Sequence, residues 1–274
     1  ADLREARARP AAAQPAAVAA AAAWRGRPRR EILIDDVSFR YAPQSTPAIA
    51  ALTLRIPAGA MVGLVGDNGS GKTTLLDILA ALLAADSGRI AVDGIPIDAA
   101  SRGAWQSTIA YVPQQVFLLD ATLEENIALG TAPAARDRER LQRAVALARL
   151  RECAGVLSSG GSERLGERGA RLSGGQRQRV AIARALYRQA SVLIMDETTS
   201  ELDEAAQEDI IDALAALRAG RTVILTGHRL SSLRHCDVIF ELQGGRLART
   251  WTYEALQASA GLRPRRGRGV GDAS

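Results

Sequence analysis

The stretch Gly66-Asp67-Asn68-Gly69-Ser70-Gly71-Lys72-Thr73 decides how the rest of the chain is read. Its three glycines tolerate dihedrals closed to other residues, so successive backbone N–H groups can turn toward one centre. Before it, Met61 to Val65 is an apolar run with the form of a short buried strand. After it, from Thr73 onward, Leu75, Leu76, Leu79, Leu82 and Leu83 recur at helical spacing. Strand, glycine loop and helix in that order make a phosphate-binding loop, where the first helical turn and a lysine receive an anion. A flexible Gly/Ser turn is the plain alternative, and the lysine argues against it. Thirty-four of the 35 basic residues are Arg, and Lys72 is the only lysine. A compact ammonium has been kept at the one place where a phosphate loop needs a point charge.

Working outward, Ile32, Ile34, Val37 and Phe39 predict a first strand, ended by a turn at Pro43 to Pro47, and Leu52, Leu54 and Ile56 alternate as a half-buried strand. Val192 to Met195 and Thr222 to Thr226 are continuous apolar or β-branched runs, the mark of strands buried on both faces of a parallel sheet. A helix over 204 to 218 between them completes a β-α-β unit. An amphipathic stretch runs from Leu141 to Cys153, and another helix is predicted over 174 to 189. No internal repeat is present. The strand Val192-Leu193-Ile194-Met195 ends in Asp196-Glu197. Such a pair can be a solvated strand end, but downstream of a phosphate loop it places one carboxylate near a metal and the other near the terminal phosphate, where it can orient or deprotonate water.

The third element is Leu172-Ser173-Gly174-Gly175-Gln176. By composition, these five residues in this order arise by chance in fewer than about one chain in a thousand of this length. Together with the phosphate loop and the acidic strand, they make residues from about Glu31 to Trp251 resemble the ABC ATPase family. The resemblance implies an α/β fold: a P-loop core with a mostly parallel sheet, an antiparallel β subdomain, and an α-helical subdomain over about 116–189 that carries the signature. It implies ATP and Mg²⁺ as ligands. Gly66 to Thr73, with Thr74, would bind the nucleotide, and Tyr41, 25 residues before Gly66, would stack on adenine. Thr73, Asp196 and Gln114 would hold the metal, and Glu197, His228 and Gln114 would serve catalysis. Gln114 stands in Tyr111-Val112-Pro113-Gln114 and His228 in Thr226-Gly227-His228-Arg229-Leu230. Leu172 to Gln176, through Ser173 and Gly175, would meet ATP held by a second copy or a paralogue, in a head-to-tail homodimer or heterodimer. Asp203 occupies the D-loop, which reads Ser200-Glu201-Leu202-Asp203 where exporters usually have Ala second, and Thr198 stands where Ala is common. Slower turnover is the most these departures imply.

Within the family, Glu167-Arg168-Gly169 resembles the X-loop that exporter domains press against transmembrane coupling helices, and Phe117 to Ile127 resembles the neighbouring exporter segment. A transmembrane domain of the same or another chain is the implied partner, at the cytoplasmic face of the inner membrane, with export or flipping as the task. The rival is a soluble ABC ATPase acting on nucleic acid or the ribosome. Chromosome-type members need a long insertion between lysine and signature, but Lys72 and Leu172 are 100 residues apart. Ribosome-associated members usually carry two cassettes. The Asn-Lys-x-Asp of GTPases is impossible with the one lysine spent, and Glu197 and His228 argue against a non-hydrolysing partner domain. The transported substrate is not written in this sequence.

The formal charge of +5 raises the question of nucleic acid, but its location answers it. Residues 1–30 carry seven Arg against Asp2 and Glu5, and residues 261–274 four Arg against Asp272, leaving 24 basic and 27 acidic residues between. No basic groove follows, and no nucleic-acid partner is expected. The Ala-, Pro- and Arg-rich residues 1–30 read as a flexible linker, 31–255 as the ATPase domain and 256–274 as a basic tail. No stretch reaches the roughly 20 apolar residues of a membrane span. Because the chain opens on Ala1 instead of Met, it reads as a piece of a longer polypeptide, which leaves room for spanning helices upstream or on an associated chain. Cys153 and Cys236 lack metal-ligand spacing and read as free thiols.

Overall fold

The computed structural model describes residues 27–150, 164–197, 204–218, 220–227 and 229–262. Strands β1 (Glu31–Phe39), β2 (Ile49–Pro57), β4 (Ser87–Val92) and β5 (Ile95–Pro96) pair antiparallel in the order β2-β1-β4-β5. Strands β3 (Met61–Val65), β6 (Ile109–Val112), β7 (Val192–Met195), β8 (Thr222–Thr226), β9 (Val238–Gln243) and β10 (Arg246–Trp251) form the second sheet, ordered β10-β9-β3-β8-β7-β6. All its pairings are parallel except the β9-β10 hairpin at the edge. The central β7 and β8 are buried at every residue, as their unbroken apolar runs require.

Successive residues of a strand point to opposite faces, and here that alternation divides two cores. Val62, Leu64, Val192, Ile194 and Ile224 face the antiparallel sheet and helix α1 (Lys72–Leu79). Met61, Leu193, Met195, Val223 and Leu225 face a core shared with the helical subdomain, built from α3 (Leu123–Ile127), α4 (Arg138–Leu147) and α5 (Gly174–Arg188). Helix α6 (Glu204–Leu217) adds Ile210, Ile211 and Leu214 to the same core. The fold class expected from sequence is the fold observed.

Three boundaries differ from the sequence reading. Helix α1 stops at Leu79, short of Leu82 and Leu83; Ala81 turns left-handed (φ 54°) and Leu82 is exposed. The cause lies in α2 (Arg102–Ser107): the buried Trp105 indole N–H donates to the Leu79 carbonyl (2.6 Å) and Gln106 to that of Ala81 (3.1 Å), so side chains satisfy the helix end. The amphipathic stretch begins earlier than Leu141, because the Asp137 side chain caps α4 by accepting from the Arg140 N–H (3.0 Å); residues 151–163, Cys153 among them, lie outside the described residues. The tail drawn from 256 starts inside α7 (Tyr253–Leu262), which packs Leu256 on the core. Cys236 is a buried free thiol, its pKa pushed up to about 12 by burial. Among the described residues, no helix is long and apolar enough to cross a membrane.

The end of the segment read as a linker is anchored. Asp93, at the β4-β5 turn, accepts backbone N–H groups of Arg29, Arg30 and Glu31 at 2.8, 2.7 and 3.0 Å. Burial pushes the Asp93 carboxyl up, but the three donors and the nearby Arg30 charge outweigh it and hold it below the ordinary carboxylate range. A depressed folded pKa means stability present in full above the unfolded value of about 3.9 and lost as pH falls through the folded value. The stability gap between the parent chain and Asp93→Asn, from urea denaturation, is therefore expected to be constant from about pH 7 to 5 and to shrink below about pH 4. A gap that widens on acidification would contradict this.

Candidate functional site

The glycine loop leaves β3 and returns into α1, and its turns exclude side chains where they are tightest. Gly66 sits at φ 143°, and a Cβ there would stand inside van der Waals distance of the Leu242 carbonyl oxygen. Gly71 is left-handed (φ 102°), with space for a Cβ denied by the Ala48 carbonyl at 2.6 Å. The loop is clamped from outside by the β9-β10 turn: the Gly245 N–H donates to the Ser70 carbonyl (3.0 Å), and the Gly245 carbonyl accepts from Ala50 (2.9 Å). Lys72 opens α1 and is only 6% exposed, its ammonium donating to the carbonyls of Gly66 (2.8 Å) and Asp67 (3.1 Å). No side chain caps α1, so its first N–H groups face the loop with the positive end of the helix dipole behind them. The buried Ser70 hydroxyl has no hydrogen-bond partner among the described residues. This cradle fits a phosphate chain.

Across the sheet, β7 delivers Asp196 and Glu197. Asp196 is buried; its N–H donates to the Val112 carbonyl (2.9 Å) and its Oδ1 accepts from the Thr226 hydroxyl (2.9 Å). That same hydroxyl accepts the Glu197 N–H at 2.7 Å. Glu197 adopts a left-handed backbone (φ 48°), a conformation that costs about 1–2 kcal/mol for a residue with a side chain. Thr226 and Gln114, whose Nε2 donates to Glu197 Oε2 at 2.8 Å, hold it there. Beneath the loop, the Tyr111 phenol on β6 donates to Asp77 Oδ1 on α1 (3.0 Å), linking the strand that precedes Gln114 to the helix that begins at Lys72. Burial, and less so the Asp196 charge, raise the Asp77 carboxyl, while the Tyr111 bond opposes them.

One cleft of ≈ 410 Å³ collects Tyr41, Asn68, Gly69, Gly71, Lys72, Thr73, Thr74, Gln114 and Glu197. Gly66 and Asp67 line a second cleft, and Ser70 and Asp196 are buried. Tyr41 is 66% exposed, meets Phe39 edge to face at 5.0 Å, and hydrogen-bonds the Thr74 hydroxyl at 3.0 Å. The Thr73 hydroxyl, the Asp196 carboxylate and the Gln114 amide are oxygen donors of the kind Mg²⁺ takes together with phosphate and water. Among the described residues, no group of three or more His, Cys, Asp or Glu is placed to hold a metal by itself. His228, Thr198 and the D-loop through Asp203 lie outside the described residues.

None of Leu172 to Gln176 lines that cleft. The segment starts α5: the Ser173 hydroxyl accepts the Gln176 N–H (3.3 Å) and Gln176 Oε1 accepts the Ser173 N–H (2.9 Å), a reciprocal capping box. Serine followed three residues later by glutamine was the readable signal for this cap. Glu167-Arg168-Gly169 forms a tight turn with Arg168 left-handed (φ 52°) and both charged side chains exposed. The turn is tied to the segment after Phe117: the Leu165 N–H donates to the Ala121 carbonyl (3.0 Å) and the Gly166 N–H to Asp120 Oδ1 (3.1 Å). The two stretches that resemble exporter sequences thus form one surface, on which Phe117 and Leu119 are 61% and 41% exposed.

A parallel-sheet core, a lysine-bearing glycine loop and an acidic strand end facing one cleft define a P-loop ATPase. Residues 49–200 match the family described as ABC transporter, and the chain belongs to that family as its ATP-binding and ATP-hydrolysing domain. It is similar to an ATP-dependent lipid A-core flippase of Cupriavidus pinatubonensis, 40% identical over 237 residues, covering 86% of this chain and 40% of the relative. A protein of the same description from Xanthomonas oryzae pv. oryzae is 38% identical over 227 residues, covering 83% of this chain and 38% of the relative. Among solved structures, a bacterial Atm1-family ABC exporter with ATP bound superposes with a TM-score of 0.78 at 34% identity, over 85% of this chain and 40% of that one. The chain spans about two fifths of the length of these relatives.

Thr226→Val removes the hydroxyl shared by Asp196 and the Glu197 backbone while keeping the shape. Leaving a buried carboxylate and an N–H without that partner is expected to cost about 1–3 kcal/mol in urea denaturation and to lower kcat more than it weakens ATP binding. A variant with unchanged kcat would remove Thr226 from the site.

Proposed function

We propose that this domain binds Mg·ATP between two copies, or between itself and a paralogous domain, and couples its hydrolysis to export or flipping of a substrate by an attached or associated transmembrane domain. The observation that carries the reading is the union, in one cleft, of the Lys72 loop with a Glu197 held in a strained conformation by Gln114 and Thr226. The signature segment stands outside that cleft with its own helix start, which supports a role toward a nucleotide held elsewhere. The relatives named as lipid A-core flippases support an amphiphilic, lipid-linked cargo and a place at the cytoplasmic face of the inner membrane.

In this mechanism Tyr41 stacks on adenine, Lys72 and the α1 N–H groups hold the β and γ phosphates, and Asn68, Gly69 and Thr74 complete the cradle. Thr73, Asp196 and Gln114 would hold Mg²⁺, which when bound would supply positive charge against the phosphate oxygens. Glu197 orients and deprotonates the attacking water, and His228 contacts the γ phosphate. Phosphoryl transfer leaves the protein little covalent work, so positioning and charge stabilisation dominate. Ser173 and Gly175 of the second copy close over the γ phosphate, and Asp203 keeps the D-loop role that its place in the sequence assigns it. Glu167 and Arg168, with Phe117 and Leu119, present the docking surface to the transmembrane domain, while Gly169, which is buried against Leu118, shapes the turn from beneath and does not itself face a partner.

Glu197→Gln is expected to retain ATP binding, to lower phosphate release by about 100-fold or more, and to accumulate an ATP-dependent dimer on size exclusion. Steady-state ATPase equal to the parent's would take Glu197 out of its role.

A further inference from the structure

Helix α5 carries a second feature eleven residues beyond Ser173. Arg184 is half-buried, and burial draws its pKa down. No carboxylate pairs with it among the described residues. Its donors go instead to the segment ahead of α4: Nη1 to the Phe117 carbonyl (3.1 Å), Nε to the Asn126 carbonyl (2.9 Å) and Nη2 to Asn126 Oδ1 (3.3 Å). Asn126 is fully buried and extends the web, its Nδ2 donating to the carbonyls of Leu119 (3.0 Å) and Thr122 (3.1 Å) and its Oδ1 accepting the Leu119 N–H (3.0 Å). The two side chains therefore bind both ends and the middle of the segment that exposes Phe117 and Leu119. A guanidinium half-buried against neutral oxygens, with no ion pair among the described residues to offset its lost hydration, gains little stability by itself, since an apolar side chain packs there without desolvating a charge. What it supplies is a planar fork that fixes two backbone positions at once.

We propose that Arg184 is a positioning residue that makes the segment from Phe117 to Asn126 move as one body with α5, so that engagement of the helix start by nucleotide is transmitted to the docking surface. This rests on the reading that Ser173 and Gly175 meet ATP on the partner copy. Arg184 lies about 16 Å along the helix from Ser173, far enough to act only through the rigidity of α5.

The test is amide hydrogen exchange of residues 117–126 in the Glu197→Gln chain with and without ATP, alongside size exclusion to follow the dimer. In the parent background ATP is expected to change exchange across this segment. Arg184→Leu should dimerise with the same ATP dependence yet lose that ATP-driven change, and Arg184→Lys, which keeps the charge but not the fork, should fall between them. If Arg184→Leu fails to fold, a reduced ATP response in Arg184→Lys decides the question by the same criterion. Exchange that rises equally in both nucleotide states, with the ATP-driven difference intact, would reduce Arg184 to a structural role and overturn the proposal. So would a full response in any folded variant, or no response in a parent that dimerises. A parent that never dimerises with ATP would instead overturn the shared-site reading, and the proposal with it.

Discussion

The Lys72 ammonium, buried between the carbonyl oxygens of Gly66 and Asp67, is the constraint around which the chain is arranged. An ammonium removed from water must be surrounded by acceptors, and here they come from the backbone of its own loop. That forces the loop into a turn that Gly66 and Gly71 alone can make, with neighbouring backbone pressed against both. The neighbouring backbone comes from the start of β2 and from the ends of β9, so both sheets must meet at the loop. The two cores on either face of the parallel sheet hold that meeting in place.

The chemistry-bearing side chains then fall at the carboxyl ends of adjacent parallel strands. Strand β3 gives the loop, β7 gives Asp196 and Glu197, β8 gives Thr226, and β6 leads to Gln114. Thr226 joins two of these strands through one hydroxyl, and Gln114 reaches Glu197 from the third. Strain at Glu197 is thereby maintained by neighbours on other strands, which is the expected condition for a strained functional residue.

Much of this was legible because the motifs are local. The loop, the two central strands, and the helices after Ser173 and ahead of β8 follow from glycine placement and unbroken apolar runs over a few residues. The end of α1 was not, because the leucine periodicity continues past Leu79 while the stop signal, Trp105, comes from 26 residues away. For the same reason the pairing of Tyr111 with Asp77, the anchoring of Arg29 to Glu31 by Asp93, and the Asn126-Arg184 web are not legible in the sequence; each joins residues from distant elements. Tyr41, singled out by the family resemblance, lines the cleft, while its hydroxyl bond to Thr74 joins positions 33 residues apart and carries no local sequence signal. His228 and Asp203 keep only their sequence assignment, since they lie outside the described residues.

A site shared between two copies makes a demand that no single-chain site makes. Chains carrying Lys72→Ala and chains carrying Ser173→Arg should each be nearly inactive alone, because every dimer of either kind lacks a component of both sites. Mixed, they form heterodimers in which the intact loop of one faces the intact signature of the other. ATPase measured against mixing ratio should therefore rise from near zero to a maximum near equal proportions. A flat line at background across all ratios, or full activity of the Ser173→Arg chain alone, would contradict a composite site.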